Sequence, residues 1–448
     1  MKTASISKLR YVALIMAFIG VSALQTSSQW NQTSVRGPQG SNGFGALVIG
    51  LSNGNYFVSD PAFDPGTGPG TGAVFLFDGR THSVLSQVVG SRAGDQVGSG
   101  GLYELGLDRI VISSPAWNGG RGAATWMDNV RGVSLVIDHK NSIVGRDAGS
   151  QVGLYGVIML WNRNYVVLSP NWTNAGRADL GAVTWGANST RTFGYVSGSN
   201  SLVGSTPGDL VGSGFVTALR NGNYVVRSPM WTNRGAGMAG AATWGNGTTG
   251  TSGVVSPNNS IVGSRAGDRV GHSVTGLTNS NYVVLSPQWA HGSALRAGAA
   301  TLGDGRTGTF GVVSRSNSLV GTSTDDQVGG RISTLNNGNF VLLTPNWDDG
   351  STGAANVGAV TWGKGNGGTT GDVNVNNSKL GTNTNDRVGS GAIAALSNGN
   401  YAFASPFWHK ERGAVTWGDG GGGNSSGYVS DQNSLAGASS KDHVGSGG

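Results

Sequence analysis

Asn221-Gly222-Asn223-Tyr224-Val225-Val226-Arg227-Ser228-Pro229-Met230-Trp231 carries a turn, a strand and a strand stop in one short stretch. Asn and Gly accept positive φ, so Asn-Gly marks a tight hairpin turn. Tyr224-Val-Val is a short continuous apolar run, as expected for a strand covered on both faces. Pro229 cannot donate to a ladder and ends the strand. The same stretch returns from Asn162 to Trp172, Asn279 to Trp289, Asn337 to Trp347 and Asn398 to Trp408. Weaker copies run from Asn53 to Phe63 and from Leu107 to Trp117.

Reading outward, each copy continues into Gly-Ala-x-Thr-Trp (Gly181, Gly240, Gly358 and Gly413 open four of them). An Asn-Ser-Leu/Ile-Val-Gly segment follows (Asn200, Asn259, Asn317), and then an Asp-x-Val-Gly corner. The corners fall at Val97, Val152, Val211, Val270, Val328, Val388 and Val444, spaced by 55, 59, 59, 58, 60 and 56 residues. Seven units therefore tile 43–448. In the fourth, Gly214–Leu219, Tyr224–Val226, Ala241–Trp244 and Gly253–Ser256 read as four strands separated by turns. A four-stranded unit of this length repeated seven times predicts an all-β, seven-bladed β-propeller of four-stranded blades. The alternative is a right-handed β-helix. Its coils are much shorter than one unit, and Asn-Gly-Asn-Tyr occurs once per unit, so the propeller is preferred.

Composition agrees. Of 448 residues 80 are Gly, only 12% are charged, and two are Glu. Such a chain suits strands and tight turns better than helices. No Cys is present, which excludes disulfides, thiol catalysis and cysteine metal sites. Lys2, Lys8 and Arg10 precede an apolar run from Tyr11 to Ala23, too short for an ordinary membrane span. Residues 1–23 thus read as a signal peptide cleaved after Ala23, followed by an extension over 24–42. The expected product is secreted, extracellular or held at the cell surface, with no membrane span after cleavage. Cleavage lowers the formal charge from +6 to +3, and the remaining Lys and Arg form no basic stripe, so no nucleic-acid partner is expected.

The corner Phe44-Gly45, replaced by Val-Gly in later units, together with Ser-Pro and the Gly-Ala-Val that opens a third strand, resembles FG-GAP repeats. The units also resemble repeats of large secreted bacterial adhesin-like proteins. The first resemblance implies an integrin-α type propeller. FG-GAP blades often carry an Asp-x-Asp-x-Asp-Gly calcium loop, whereas the turn here is Asn-Gly-Asn. Calcium favours carboxylate oxygens, so no metal site carries over, and neither metal nor cofactor is expected.

The six His show no metal-ligand spacing, and no pair of carboxylates stands out as a glycosidase would require. The function read here is non-catalytic recognition of an extracellular glycan or surface protein. The alternatives are a secreted polysaccharide hydrolase or lyase, and a purely structural segment of a larger surface protein. The corner Asp (Asp95, Asp209, Asp268, Asp326, Asp386, Asp442) reads either as a turn cap or as a ring of carboxylates around one channel mouth. Trp126, Trp185, Trp244, Trp362 and Trp417, at one register of the third strand, read as packing between blades. Trp117, Trp172, Trp231, Trp289, Trp347 and Trp408, just past Ser-Pro, suit either packing or an exposed platform for sugar rings or peptides. They are the candidate ligand-binding residues. The loops that follow them (64–71, 118–121, 173–180, 232–239, 290–297, 348–357, 409–412) vary in length, which points to recognition on one rim. Finally, 441–448 reads as an unpaired extra corner that docks near 42–50 and closes the ring.

Overall fold

The computed structural model describes residues 34–447; the segment read as a signal peptide lies outside them. Each unit folds into its own antiparallel sheet, and seven sheets follow one another along the chain. The protein is all-β and seven-bladed, as the repeat predicts. The fourth blade is typical. Val216–Ala218 pairs with Tyr224–Ser228, that strand with Ala241–Gly245, and that one with Ser260–Val262. Tyr224 lies opposite Gly245, where any β-carbon would strike the tyrosine ring. The Thr of Gly-Ala-x-Thr-Trp bonds across the ladder to the Ser of Asn-Ser-Ile-Val, with Thr243 and Ser260 oxygens 2.7 Å apart and both side chains buried.

One strand is assigned differently from the sequence reading. Gly253–Val254, expected as the fourth strand of its own blade, instead pairs in parallel with Leu202 and Val203, the outer strand of the preceding blade. The reason is local. Gly253 takes φ +106, open only to glycine, and Asn259 Oδ1 accepts the Ser256 N–H at 2.9 Å. That turn swings Ser260–Val262 back to its own sheet. Every unit from the second to the seventh lends such a strand backward, so blades one to six have five strands and the seventh has four.

Packing lies between blades. Six apolar layers fill the six seams between successive sheets, each built from the outward face of one blade and the inward face of the next. A seventh layer belongs to the first blade alone, whose Phe75 and Phe77 are covered by Val35 and Phe44 of the N-terminal segment. Among the described residues, no apolar layer, ladder or hydrogen bond joins the seventh blade to the first. The expected docking of 441–448 on 42–50 is therefore not seen. The last corner folds onto its own blade instead: Val444 bridges Gly413, and its N–H reaches the Arg412 carbonyl at 3.1 Å. In every other corner the Val N–H likewise reaches the carbonyl just before the third strand of its own blade, because Gly at the start of that strand leaves no β-carbon between the two backbones. At Gly240 a β-carbon would lie 2.4 Å from Val270 N.

The two Trp sets differ in burial in the opposite sense to the expectation for a binding platform. The rings after Ser-Pro are the deeper ones, with Trp172, Trp231 and Trp289 only 2–5% exposed. Replacing Trp231 by Ala should destabilise the fold by about 3–5 kcal/mol, as for a buried large aromatic. Trp417→Ala, on an uncovered face, should cost less than about 1 kcal/mol. Chemical denaturation of the two variants checks this; equal losses would contradict the assignment.

Candidate functional site: the corner rim

The blades have two ends. Asn-Gly-Asn turns occupy one, and the Asp-x-Val-Gly corners with the loops after Ser-Pro-x-Trp occupy the other. Both ends hold the seams together, in different ways.

At the turn end, Asn221 and Asn223 each aim a side-chain amide at the Gly305 carbonyl of the next unit, at 2.7 and 2.9 Å. The Trp244 indole N–H donates to the same oxygen at 3.1 Å. The arrangement repeats from Asn162, Asn164 and Trp185 to Gly247, and from Asn337, Asn339 and Trp362 to Gly420. Trp185, Trp244 and Trp362 thus join blades, as their register suggests.

At the corner end the Asp carboxylate spans the seam. Asp209 Oδ2 accepts the N–H groups of Ser205 and Thr206, both at 2.8 Å, closing its own turn. Its Oδ1 accepts the Thr232 N–H of the next unit at 2.9 Å. Asp95, Asp268, Asp326 and Asp386 do likewise, reaching Asn118, Ala290, Asp348 and His409 at 2.8–3.1 Å. All five are buried. A buried carboxylate is tolerable only with such donors, and charge-assisted bonds of this kind are the strong ones. The turn-cap reading therefore describes these residues, and they form no open ring of carboxylates around a channel. The second unit has Ser150 at this position, with the Thr173 N–H at 3.3 Å.

The six candidate platform residues sit directly beneath this rim. Trp117, Trp172, Trp231, Trp289, Trp347 and Trp408 are all at most 6% exposed, each in a different seam. A tight turn folds each ring back under the corner: the Trp231 N–H bonds the Ser228 carbonyl at 3.1 Å. They offer no exposed stacking surface. The loops beyond them do line the rim, and four form small hairpins closed by bridges such as Asn233 to Ala236.

What the rim does expose is a set of paired residues that the sequence reading passed over. The residue between the corner Asp and Val has positive φ in every unit: Gln96, Gln151, Leu210, Arg269, Gln327, Arg387 and His443, with φ between 43 and 54. Its N–H bonds the carbonyl of a neighbour in the adjoining loop, also at positive φ: Asp179, Met238, Arg296, Asn356 and Glu411 in the last five units. In the first two units the neighbour is Gly70 or Gly120. Each non-glycine residue in this region costs about 1–2 kcal/mol. The backbone is held constant while the side chains range over acid, base, amide and thioether. A signal was present in the sequence: within the corner only this one position varies freely while Asp, Val and Gly recur.

Two grooves open along the rim. One of about 600 Å³ lies between the sixth-unit corner, from Asn383 to Arg387, and Phe407, Lys410 and Glu411 of the seventh. Another of about 460 Å³ is lined by His272, Gln288, Arg296, Asp325 and Gln327. Arg296 pairs with Asp325 across the second. No group of three or more His, Asp or Glu is placed to hold a metal ion among the described residues.

Burial raises the Asp326 carboxyl to about 6, against the N–H donors that favour its charged form, and the adjacent Asp348 adds to the rise. A carboxyl raised above its unfolded value of about 3.9 contributes stability at low pH, and that contribution is lost as pH rises through about 6. The Asp326 carboxyl resonance should titrate with a midpoint near pH 6, and Asp348→Asn should lower it. A wild-type midpoint below about 4.5 would contradict the cause given.

The model of a family described as "Repeat of unknown function (DUF5650)" matches residues 50–99, 106–154, 159–213, 218–272, 276–330, 334–390 and 395–446. No curated protein matches the chain. Among solved structures, a eukaryotic initiation factor is 10% identical with a TM-score of 0.25, covering 84% of this chain and 85% of its own. Kluyveromyces lactis Hsv2p is 9% identical with a TM-score of 0.29, covering 90% of this chain and 100% of its own. The seven matches coincide with the seven blades, and the chain belongs to the DUF5650 repeat family.

Proposed function

We propose that the protein is a secreted, non-catalytic binding scaffold that engages an extracellular glycan or surface protein along its corner rim. The observation that carries this reading is the series of paired left-handed residues. A constant, clamped backbone presents side chains that differ from blade to blade, and most are non-glycine where glycine would be free of strain. Strain of this kind, retained at a surface, is found where side chains are needed for recognition. Repeat arrays use such extended surfaces for binding. Arg269 and Arg387, which make no ion pair among the described residues, add positive charge to units four and six, whereas Arg296 is paired with Asp325; the two unpaired guanidinium groups favour a partner with acidic groups. The resemblance to FG-GAP blades and to repeats of secreted adhesin-like proteins agrees with this reading. Export rests on the basic, apolar and small-residue pattern of residues 1–23. Among the described residues no helix is long and apolar enough to cross a membrane.

A glycan array carrying neutral and acidic chains, probed with the 24–448 protein, tests the partner class. The triple variant Arg269→Gly, Arg296→Gly and Arg387→Gly separates recognition from folding. Glycine relieves the backbone strain, so the melting temperature should hold or rise. Binding to whatever ligand is captured should weaken at least tenfold. A variant that binds as well as the parent would remove the rim from the function.

A further inference from the structure

We infer that the outward face of the seventh blade is a docking surface for another unit of this same repeat. The six internal seams define what such a face requires, and the seventh blade has each part without its partner. Leu435 is 76% exposed, whereas its counterparts Ile143, Leu202, Ile261 and Leu319 are fully buried beneath a following unit. Trp417, whose equivalents Trp185, Trp244 and Trp362 donate to a glycine carbonyl of the next blade, is 45% exposed. Among the described residues, the side-chain amides of Asn398 and Asn400 have no acceptor, although their counterparts converge on that same carbonyl. Asp442 closes its own turn through the Ser439 N–H at 2.8 Å, but its second oxygen lacks the N–H that every other corner Asp receives from the next unit. The edge Ser434–Ala436 lacks the parallel strand that all six other blades carry.

The unmet groups specify their occupant. They require, together, a short Gly-led parallel strand, a glycine carbonyl at the turn end and a backbone N–H just beyond a Ser-Pro-x-Trp turn. Units four to seven supply that whole combination to the blade before them. The first blade of a second copy does not. Only the turn 78–83 separates Phe77 from Val84, where the fourth unit places its lent strand. Its leading face is also already covered: Phe44 packs on Phe77, the Gly43 N–H bonds Asp60, and the Gly40 carbonyl takes the Asp64 N–H at 2.9 Å. The array therefore has a polarity, with one end sealed by its own chain and one end built to be continued. An uncapped apolar sheet face with a free edge is the feature that repeat arrays ordinarily cover.

The test extends the full chain by one unit, a copy of residues 393–448 joined after Gly448, which keeps the corner-to-strand spacing of the sixth and seventh units. Hydroxyl-radical footprinting should show oxidation of the original Trp417 and Leu435 falling at least fivefold, while the same positions in the added copy react freely. The added unit should resist trypsin, and Asp442→Ala together with Leu435→Asp in the original seventh unit should abolish both effects. Unchanged oxidation, or an added unit digested away from an intact seven-blade core, would overturn the inference. Sedimentation of the unextended chain is the second arm. It should remain monomeric at tens of micromolar. Dimerisation that protects Trp417 and is lost in Leu435→Asp would assign the face to a second copy and overturn the inference equally.

Discussion

The four seams from the third unit to the seventh are each fixed at both ends by buried or half-buried polar contacts between successive units. At the turn end, two asparagine amides, joined in three of the seams by an indole N–H, close on one glycine carbonyl. At the corner end, one aspartate accepts backbone N–H groups from two units at once. The apolar layer between these ends supplies most of the burial energy, but apolar contact is non-directional. The polar clamps set the register, and because they recur at the same positions, one geometry propagates from blade to blade.

That division of labour frees the rim. Since Asp, Val and Gly of the corner are all occupied in holding the seam, the residue between them is the one position that can change without disturbing the fold. It projects outward at positive φ beside a second residue in the same conformation. Backbone strain accumulates there rather than in the core, and the clamps beneath keep it from relaxing. The grooves between Asn383 and Glu411 and around Gln327 are lined by these same residues.

The seven blades were legible because their signals are local. Asn-Gly turns, Ser-Pro strand stops and Gly-Ala strand starts each depend on residues adjacent in sequence. What escaped the sequence reading depends on partners a full unit or more away. The Asn-Gly-Asn motif looked like a turn alone, since the carbonyl that Asn221 reaches belongs to Gly305. Gly253–Val254 has the pattern of any short strand, and nothing in it says which sheet it will join. Trp231 lies at a strand end, where exposure is a fair expectation. The turn at Ser228 directs the ring inward instead. The corner at Val444 reads as unpaired only if a corner belongs with the unit that follows it; each one instead folds onto the blade before it.

The claim on which the account rests is that the corner aspartate joins two blades and does not merely cap one turn. Native-state hydrogen exchange of Asp209→Ala measures this directly at the Thr232 amide, whose one acceptor among the described residues is the Asp209 carboxylate across the seam. Losing a buried charged acceptor corresponds to about 1–3 kcal/mol. The Thr232 amide should therefore exchange roughly 10- to 100-fold faster, with loss of protection spreading along both faces of that seam and stopping at the next. Unchanged protection at Thr232, with faster exchange confined to Ser205 and Thr206, would show that the aspartate caps its own turn alone.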